Sequence, residues 1–180
     1  MTVKSLPILL TILFACAVTC VSQPVSPSPP VLPSAKATAE EFYRNYIKLQ
    51  IRGLPSDEEL KTLSPMLSPS LKLLFENAAR IKAKYIRNNP DEKPPWHDGD
   101  LFTSLFEGAK SFKVGSPRLR GSRGEVPIEL AFSGDGATTR WSDTLVLVRE
   151  KGRWRVWDIL FKGEWAFKQG NSLRSVLSAG

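Results

Sequence analysis

Leu145-Val146-Leu147-Val148-Arg149-Glu150-Lys151-Gly152-Arg153-Trp154-Arg155-Val156-Trp157-Asp158-Ile159 is the stretch that decides the fold class. Two runs rich in β-branched and aromatic residues meet at Lys151-Gly152, a pair suited to a two-residue hairpin turn. The hairpin arms extend over residues 139–149 and 153–161. Upstream, Val126, Ile128, Leu130 and Phe132 alternate on another strand, and Gly134-Asp135-Gly136 marks the turn that joins it to the hairpin. Residues 111–114 make a weaker first strand. Pro127 lacks an amide donor, so its strand is expected at a sheet edge or with a bulge at that point.

Helices precede the strands. Thr38 and Glu41 have the spacing of a capping box, with Phe42, Tyr43, Tyr46, Ile47 and Leu49 forming an apolar face and Gly53 ending the helix. A second helix starts at Ser56 with Glu59 three residues on, and a third at Ser68 with Pro69 in the favoured first position. Leu71, Leu74, Phe75, Ala78, Ile81 and Tyr85 line the inner face of the third helix. Helices first and a hairpin-rich sheet afterwards predicts an α+β fold: N-terminal helices packed on a curved antiparallel β-sheet, a cone around a pocket. Between them, residues 88–100 carry three prolines and form a loop, after which Asp100 is placed to cap a turn over residues 101–106.

The N-terminal 22 residues read as an export signal: Lys4 precedes a short apolar run, residues 6–14, that ends in small residues. Ala15-Cys16-Ala17 and Cys20-Val21-Ser22 both fit a cleavage site, and Leu13-Phe14-Ala15-Cys16 approximates a lipoprotein signal apart from the bulky Phe14. Two outcomes stay open, release to the periplasm or medium and lipid anchoring through Cys16. Residues 23–36 are a Pro/Ser-rich tether, and residues 37–180 form a single domain. Cys16 and Cys20 are the only cysteines, which excludes a disulfide framework or a Cys-rich zinc site in the domain. Lys4 is the only charge in the signal, so removing it lowers the formal net charge of +7 by one. That moderate excess, and basic residues along the third helix that suit a solvated face, do not point to nucleic acid.

Three segments carry a resemblance: Ala39-Glu40-Glu41-Phe42-Tyr43-Arg44-Asn45-Tyr46, Gly99-Asp100-Leu101-Phe102-Thr103-Ser104-Leu105-Phe106-Glu107-Gly108, and the hairpin quoted above. Together they resemble an uncharacterised family of exported bacterial proteins with the nuclear-transport-factor-2-like (cystatin-like cone) fold. The resemblance implies a fold and a compartment, and no reaction. Some enzymes of that fold, such as ketosteroid isomerase, use carboxyl groups in an apolar pocket.

Such a carboxyl pair is available here. With Glu150 facing Arg153, the ladder runs back so that Asp158 opposes Leu145 and Asp143 opposes Leu160. Both acids then share one face, about 7–8 Å apart, with Trp141, Leu145, Leu147, Trp154, Val156 and Leu160. The plainer alternative has one Asp holding a loop and the other paired with Arg44 or Arg140. A register change of one residue would separate them. His97, the only histidine, lies near Asp98, Asp100 and Ser104 and is a catalytic candidate or a plain loop residue. With Asp98 and Asp100 it lacks the spacing of a calcium loop, so no metal and no cofactor is expected. Asp100, Trp96, Trp141, Trp154 and Tyr46 are the ligand-binding candidates, since five tryptophans exceed what a small core satisfies.

Three function classes follow. The first is an exported, non-catalytic binding or interaction domain that holds a small apolar ligand or forms a homodimer through the sheet face. The second is a pocket enzyme of the isomerase, dehydratase or hydrolase type using Asp143 and Asp158. The third is a structural envelope protein whose pocket is filled by its own side chains.

Overall fold

The computed structural model describes residues 32–134, 136–165 and 170–179. The expected signal, most of the tether and Cys16 lie outside the described residues. The fold is α+β. Helices α1 (Ala35–Leu49), α2 (Asp57–Leu63) and α3 (Pro69–Asn88) come first, with a 3₁₀ turn (Ser64–Met66) between the last two. Strands β1 (Ser111–Val114), β2 (Arg118–Arg120), β3 (Arg123–Gly134), β4 (Ala137–Glu150) and β5 (Arg153–Leu160) follow, and a short α4 (Leu173–Leu177) comes last. The strands form one antiparallel sheet in the order β1-β3-β4-β5, with β2 also paired to β3. No described helix is long and apolar enough to cross a membrane.

Local chemistry sets most of the helix ends. Ser56 and Glu59 make a reciprocal capping box, and the Ser68 hydroxyl accepts from the Leu71 amide with Pro69 next to the cap. At α1 the expectation is corrected at both ends. The cap is Ser34, whose hydroxyl accepts from the Ala37 amide at 3.2 Å, while Thr38 is buried inside the helix. The helix stops at Gln50, which turns left-handed at φ 50° and bonds the Tyr46 carbonyl, three residues before Gly53. Turning there buries Ile51 at 2% exposure. On α3, Leu71, Phe75 and Ala78 are buried, but Ile81 is exposed, because the last turns run past the sheet.

The β4–β5 turn is as the residue pair demands. Lys151 and Gly152 both have positive φ, 49° and 79°, and Glu150 faces Arg153. Pro127 departs from expectation, for it sits neither at an edge nor at a bulge. It lies inside β3, paired with Thr144 of β4 on one side. Its other side, the one with no donor, faces the gap between β1 and β2, where its carbonyl accepts from the Gly115 amide at 2.8 Å.

The core lies between α1, α3 and one sheet face. Phe42, Tyr43, Tyr46, Phe75 and Phe102 pack as a chain of rings with centroids 5.3–5.9 Å apart. Val126, Ile128, Leu145, Leu147, Val156 and Ile159 close it from the sheet, each at 0% exposure. The outer edge of β5 is covered: the Ser68 amide donates to the Val156 carbonyl at 2.8 Å, and the Phe161 amide to Asn171 at 3.0 Å. A strand edge satisfied in this way is protected from pairing with another chain.

Candidate functional site

The register of β5 decides the fate of the expected acid pair. From Glu150–Arg153 the ladder runs regularly to Leu147–Val156, then shifts, so that Val146 faces Asp158, Leu145 faces Ile159 and Thr144 faces Leu160. Trp157 is the extra residue of this β-bulge. Beyond it every side chain of β5 changes face. Asp158 and Leu160 therefore leave the core side, and Ile159 and Phe161 enter it at 0% and 4% exposure. Asp143 and Asp158 lie on opposite faces of the sheet, and the pair expected from a regular ladder does not form. A regular ladder would also put Trp157, Ile159 and Phe161 together on the outer face as an apolar stripe for the expected homodimer, and the same shift turns Ile159 and Phe161 into the core instead.

Each acid has a separate structural task. Asp143, fully buried, accepts from the Ser104 amide at 2.8 Å, the Lys162 amide at 2.8 Å and Trp141 Nε1 at 3.1 Å. It fastens the loop after Asp100 and the chain after β5 to the end of the sheet. Asp158 accepts from the Ile159 amide at 2.8 Å and the Arg174 amide at 2.9 Å, which caps the first turn of α4. Neither is paired with Arg44 or Arg140 among the described ion pairs.

Asp100 and Tyr46 are brought together. Tyr46 Oη donates to Asp100 Oδ2 at 2.5 Å and accepts from the Ala109 amide at 2.9 Å, while Asp100 Oδ1 accepts from the Phe102 amide at 2.7 Å. One carboxylate and one phenol thus hold both ends of the loop, residues 100–109, on α1. Burial raises the Asp100 pKa to about 6, against the opposing effect of hydrogen bonds from Tyr46, Phe102 and Thr103. Burial, then the nearby Asp100 charge, also pushes the Tyr46 phenol well above its ordinary value. Gly108, at φ 77°, lies against both groups: an added Cβ there would come within 2.6 Å of Asp100 Oδ2 and 2.9 Å of Tyr46 Oη. The pair floors an open cleft of about 320 Å³ whose walls include Arg52, Glu107 and Lys110.

The remaining candidates do not join it. Trp141 lines a separate cleft of about 340 Å³ on β1, β3 and β4, and its ring meets Trp165 edge-on at 5.9 Å. Trp154 lines another of about 250 Å³ beside Met66. Trp96, held by its Nε1 on the Val176 carbonyl at 3.1 Å, lines a fourth of about 450 Å³ with His97. His97 is half-exposed and 3.7 Å from Asp98, and Ser104 is engaged elsewhere, with its hydroxyl accepting from the Gly163 amide and Trp165 Nε1. The expected His97 constellation therefore does not assemble.

Sequence reading considered Ser104 only beside His97 and passed over Gly108 and Lys162, whose roles depend on main-chain contacts that carry no side-chain signature. It also passed over Trp157 as a contact: two guanidinium groups lie over its ring, Arg123 at 4.4 Å and Arg174 at 4.6 Å.

No family model matches the chain, and no curated protein matches it. The chain is similar to a solved structure, a SEC-C motif containing protein from Rhodopseudomonas palustris, with 15% identity, a TM-score of 0.43, and 72% of this chain and 80% of that one covered. A likeness at that level carries no argument about function. The resemblance to the nuclear-transport-factor-2-like exported family is corrected: no family model and no curated protein matches the chain, and no comparison points to that family.

Proposed function

We propose that the protein is an exported, non-catalytic interaction domain that works through its surface. The observation that carries this reading is the use made of the two acids of the sheet: Asp143 and Asp158 each accept from two main-chain amides that anchor loops or a helix end. A carboxylate consumed in this way is a poor proton carrier, because giving up its charge strands the amides it satisfies. The ring chain of α1, α3 and Phe102 also fills the space that a pocket inside a cone-like wrap of the sheet would occupy. A second copy of the chain or a macromolecular surface is then a better fit than a small apolar ligand held inside. Export rests on the N-terminal sequence, with release and lipid attachment at Cys16 as the two modes.

The test is processing and fractionation of the full chain. A product shortened by about 15–22 residues and found outside the cytoplasm supports export. An uncleaved product in the cytoplasm overturns it. Detergent partitioning that is lost in Cys16→Ala identifies the anchored mode.

A second reading is favoured by one observation, the carboxyl of Asp100 titrating near pH 6 at the floor of a cleft. There a small ligand would take the position that Gly108 borders, and acid and base chemistry would belong to Asp100 and Tyr46. Loss of a measured turnover in Asp100→Asn with the fold intact would favour it.

A further inference from the structure

The outer face of the sheet opposite the core carries a line of arginines. Arg120 of β2 faces Arg123 of β3, Arg123 faces Val148 of β4, and Val148 faces Arg155 of β5. These side chains fall in one row across four strands spaced about 4.8 Å apart. Arg118 stands one step along, paired with Glu125, and Arg174 reaches the same face from α4. The described ion pairs are Lys93–Asp98, His97–Asp98 and Lys113–Glu129, and they include none of these five arginines. Glu125, Glu150 and the buried Asp158, which is engaged by the Ile159 and Arg174 amides, are the acidic side chains near the row, against which the hairpin tip adds Lys151 and Arg153. The face is therefore cationic in excess, and none of its five arginines is in a described ion pair.

Trp157 sets what can lie against it. Two guanidinium groups lie over its ring, Arg123 at 4.4 Å and Arg174 at 4.6 Å, and Arg174 is further held on the Trp157 carbonyl at 3.4 Å and Ser70 Oγ at 3.3 Å. An indole that already carries two guanidinium groups is not a free stacking platform, and stacking is the main source of single-strand affinity beyond charge. A β-sheet face offers no helix or ribbon for a duplex groove either. What remains is a broad surface of weakly hydrated guanidinium groups around an aromatic ring, which matches the headgroup layer of an anionic bilayer.

We propose that this arginine face docks on an anionic phospholipid surface. It extends the proposed function by naming the partner. It rests on export only for the bilayer leaflet that the protein meets, because lipid contact can be measured on purified protein whatever its compartment.

The experiment is co-sedimentation of the full chain with vesicles of phosphatidylcholine and phosphatidylglycerol at about 3:1, beside vesicles of phosphatidylcholine alone. The expected result is binding to the anionic vesicles, near absence on the neutral ones, and loss at about 0.5 M salt, where the Debye length falls to roughly 4 Å. Insertion of an acyl chain or signal segment would be equal on both vesicles and insensitive to salt, and that result overturns the proposal. Each arginine near the surface contributes about a fivefold change, so Arg120→Ser with Arg155→Ser should weaken binding about 25-fold. Arg120→Lys with Arg155→Lys keeps the charge and should bind within about threefold of the original. Lys84→Ser with Arg87→Ser removes the same charge from α3 and should leave binding within about twofold. An equal loss in the α3 variant reduces the effect to net charge and overturns the proposal. Tighter binding to single-stranded DNA or to polyglutamate than to the anionic vesicles, at equal salt, overturns it in favour of those partners. Far-ultraviolet circular dichroism of each variant excludes unfolding as the cause.

Discussion

Tyr46 Oη and Asp100 Oδ2 are 2.5 Å apart in the interior of the protein, with the backbone of Gly108 against both. The contact joins residues 54 apart in sequence and closes the loop that leads from the helices into the sheet. A buried polar contact that closes a long connection makes that connection sensitive to pH and to small substitutions beside it.

The pH dependence has a definite sign. Burial raises the Asp100 pKa to about 6 in the folded chain, from an ordinary value of 3.8. Between these values the folded state holds more proton at Asp100 than the unfolded one, so the contribution of this group to stability is fully present below about pH 4 and is lost as pH rises to about 6. The fall from this group is about 3 kcal/mol at ~1.36 kcal/mol per pH unit. Urea unfolding from pH 4 to 7 should lose most of that slope in Asp100→Asn; an unchanged slope would show that another group is responsible.

Gly108→Ala should cost more than the same change at a turn with similar backbone. Gly108 and Gly136 have φ of 77° and 78°, but an added Cβ meets the Asp100–Tyr46 pair at the first and nothing within 4 Å at the second. Left-handed strain alone is about 1 kcal/mol at each position. We expect Gly136→Ala near that value and Gly108→Ala above about 2 kcal/mol, read from urea midpoints. Equal losses would mean that the loop yields to the methyl group.

The two separated acids should fail differently. Asp143→Ala leaves the buried Ser104 amide, the part-buried Lys162 amide and an indole N–H without their acceptor, and global stability should drop by about 3 kcal/mol or more. Asp158→Ala removes a cap on a five-residue helix, at about 1 kcal/mol. Hydrogen exchange distinguishes them: faster exchange confined to α4 in Asp158→Ala, and throughout the sheet in Asp143→Ala. A pattern spread over the sheet in both would contradict the local role of Asp158.

Whatever was decided within a few residues was legible in the sequence. The Lys151-Gly152 turn, the Ser56–Glu59 box and the Ser68–Pro69 start all rest on neighbours, and each formed. The bulge did not announce itself, since Trp157 fits an alternating strand as well as Val156 does. It follows from partners far along the chain, the Arg174 amide for Asp158 and the two guanidinium groups for Trp157, and it moves Asp158 to the other face. Asp143 is similar, with acceptor contacts to residues 39 and 19 positions away. Ser34 was hidden by composition, because a cap inside a Pro/Ser run looks like more tether. In the site, Asp100 and Tyr46 were each identifiable, but their pairing depended on α1 and the loop meeting in space.

Native mass spectrometry of the protein purified from the cells that produce it, followed by the same measurement after denaturation, addresses the central claim most directly. A filled core and occupied acids predict the bare polypeptide mass, with any lipid at Cys16 persisting after denaturation because it is covalent. A stoichiometric non-covalent adduct that disappears on denaturation would contradict a domain that acts through its surface, and its mass would identify the ligand class that the interior accepts.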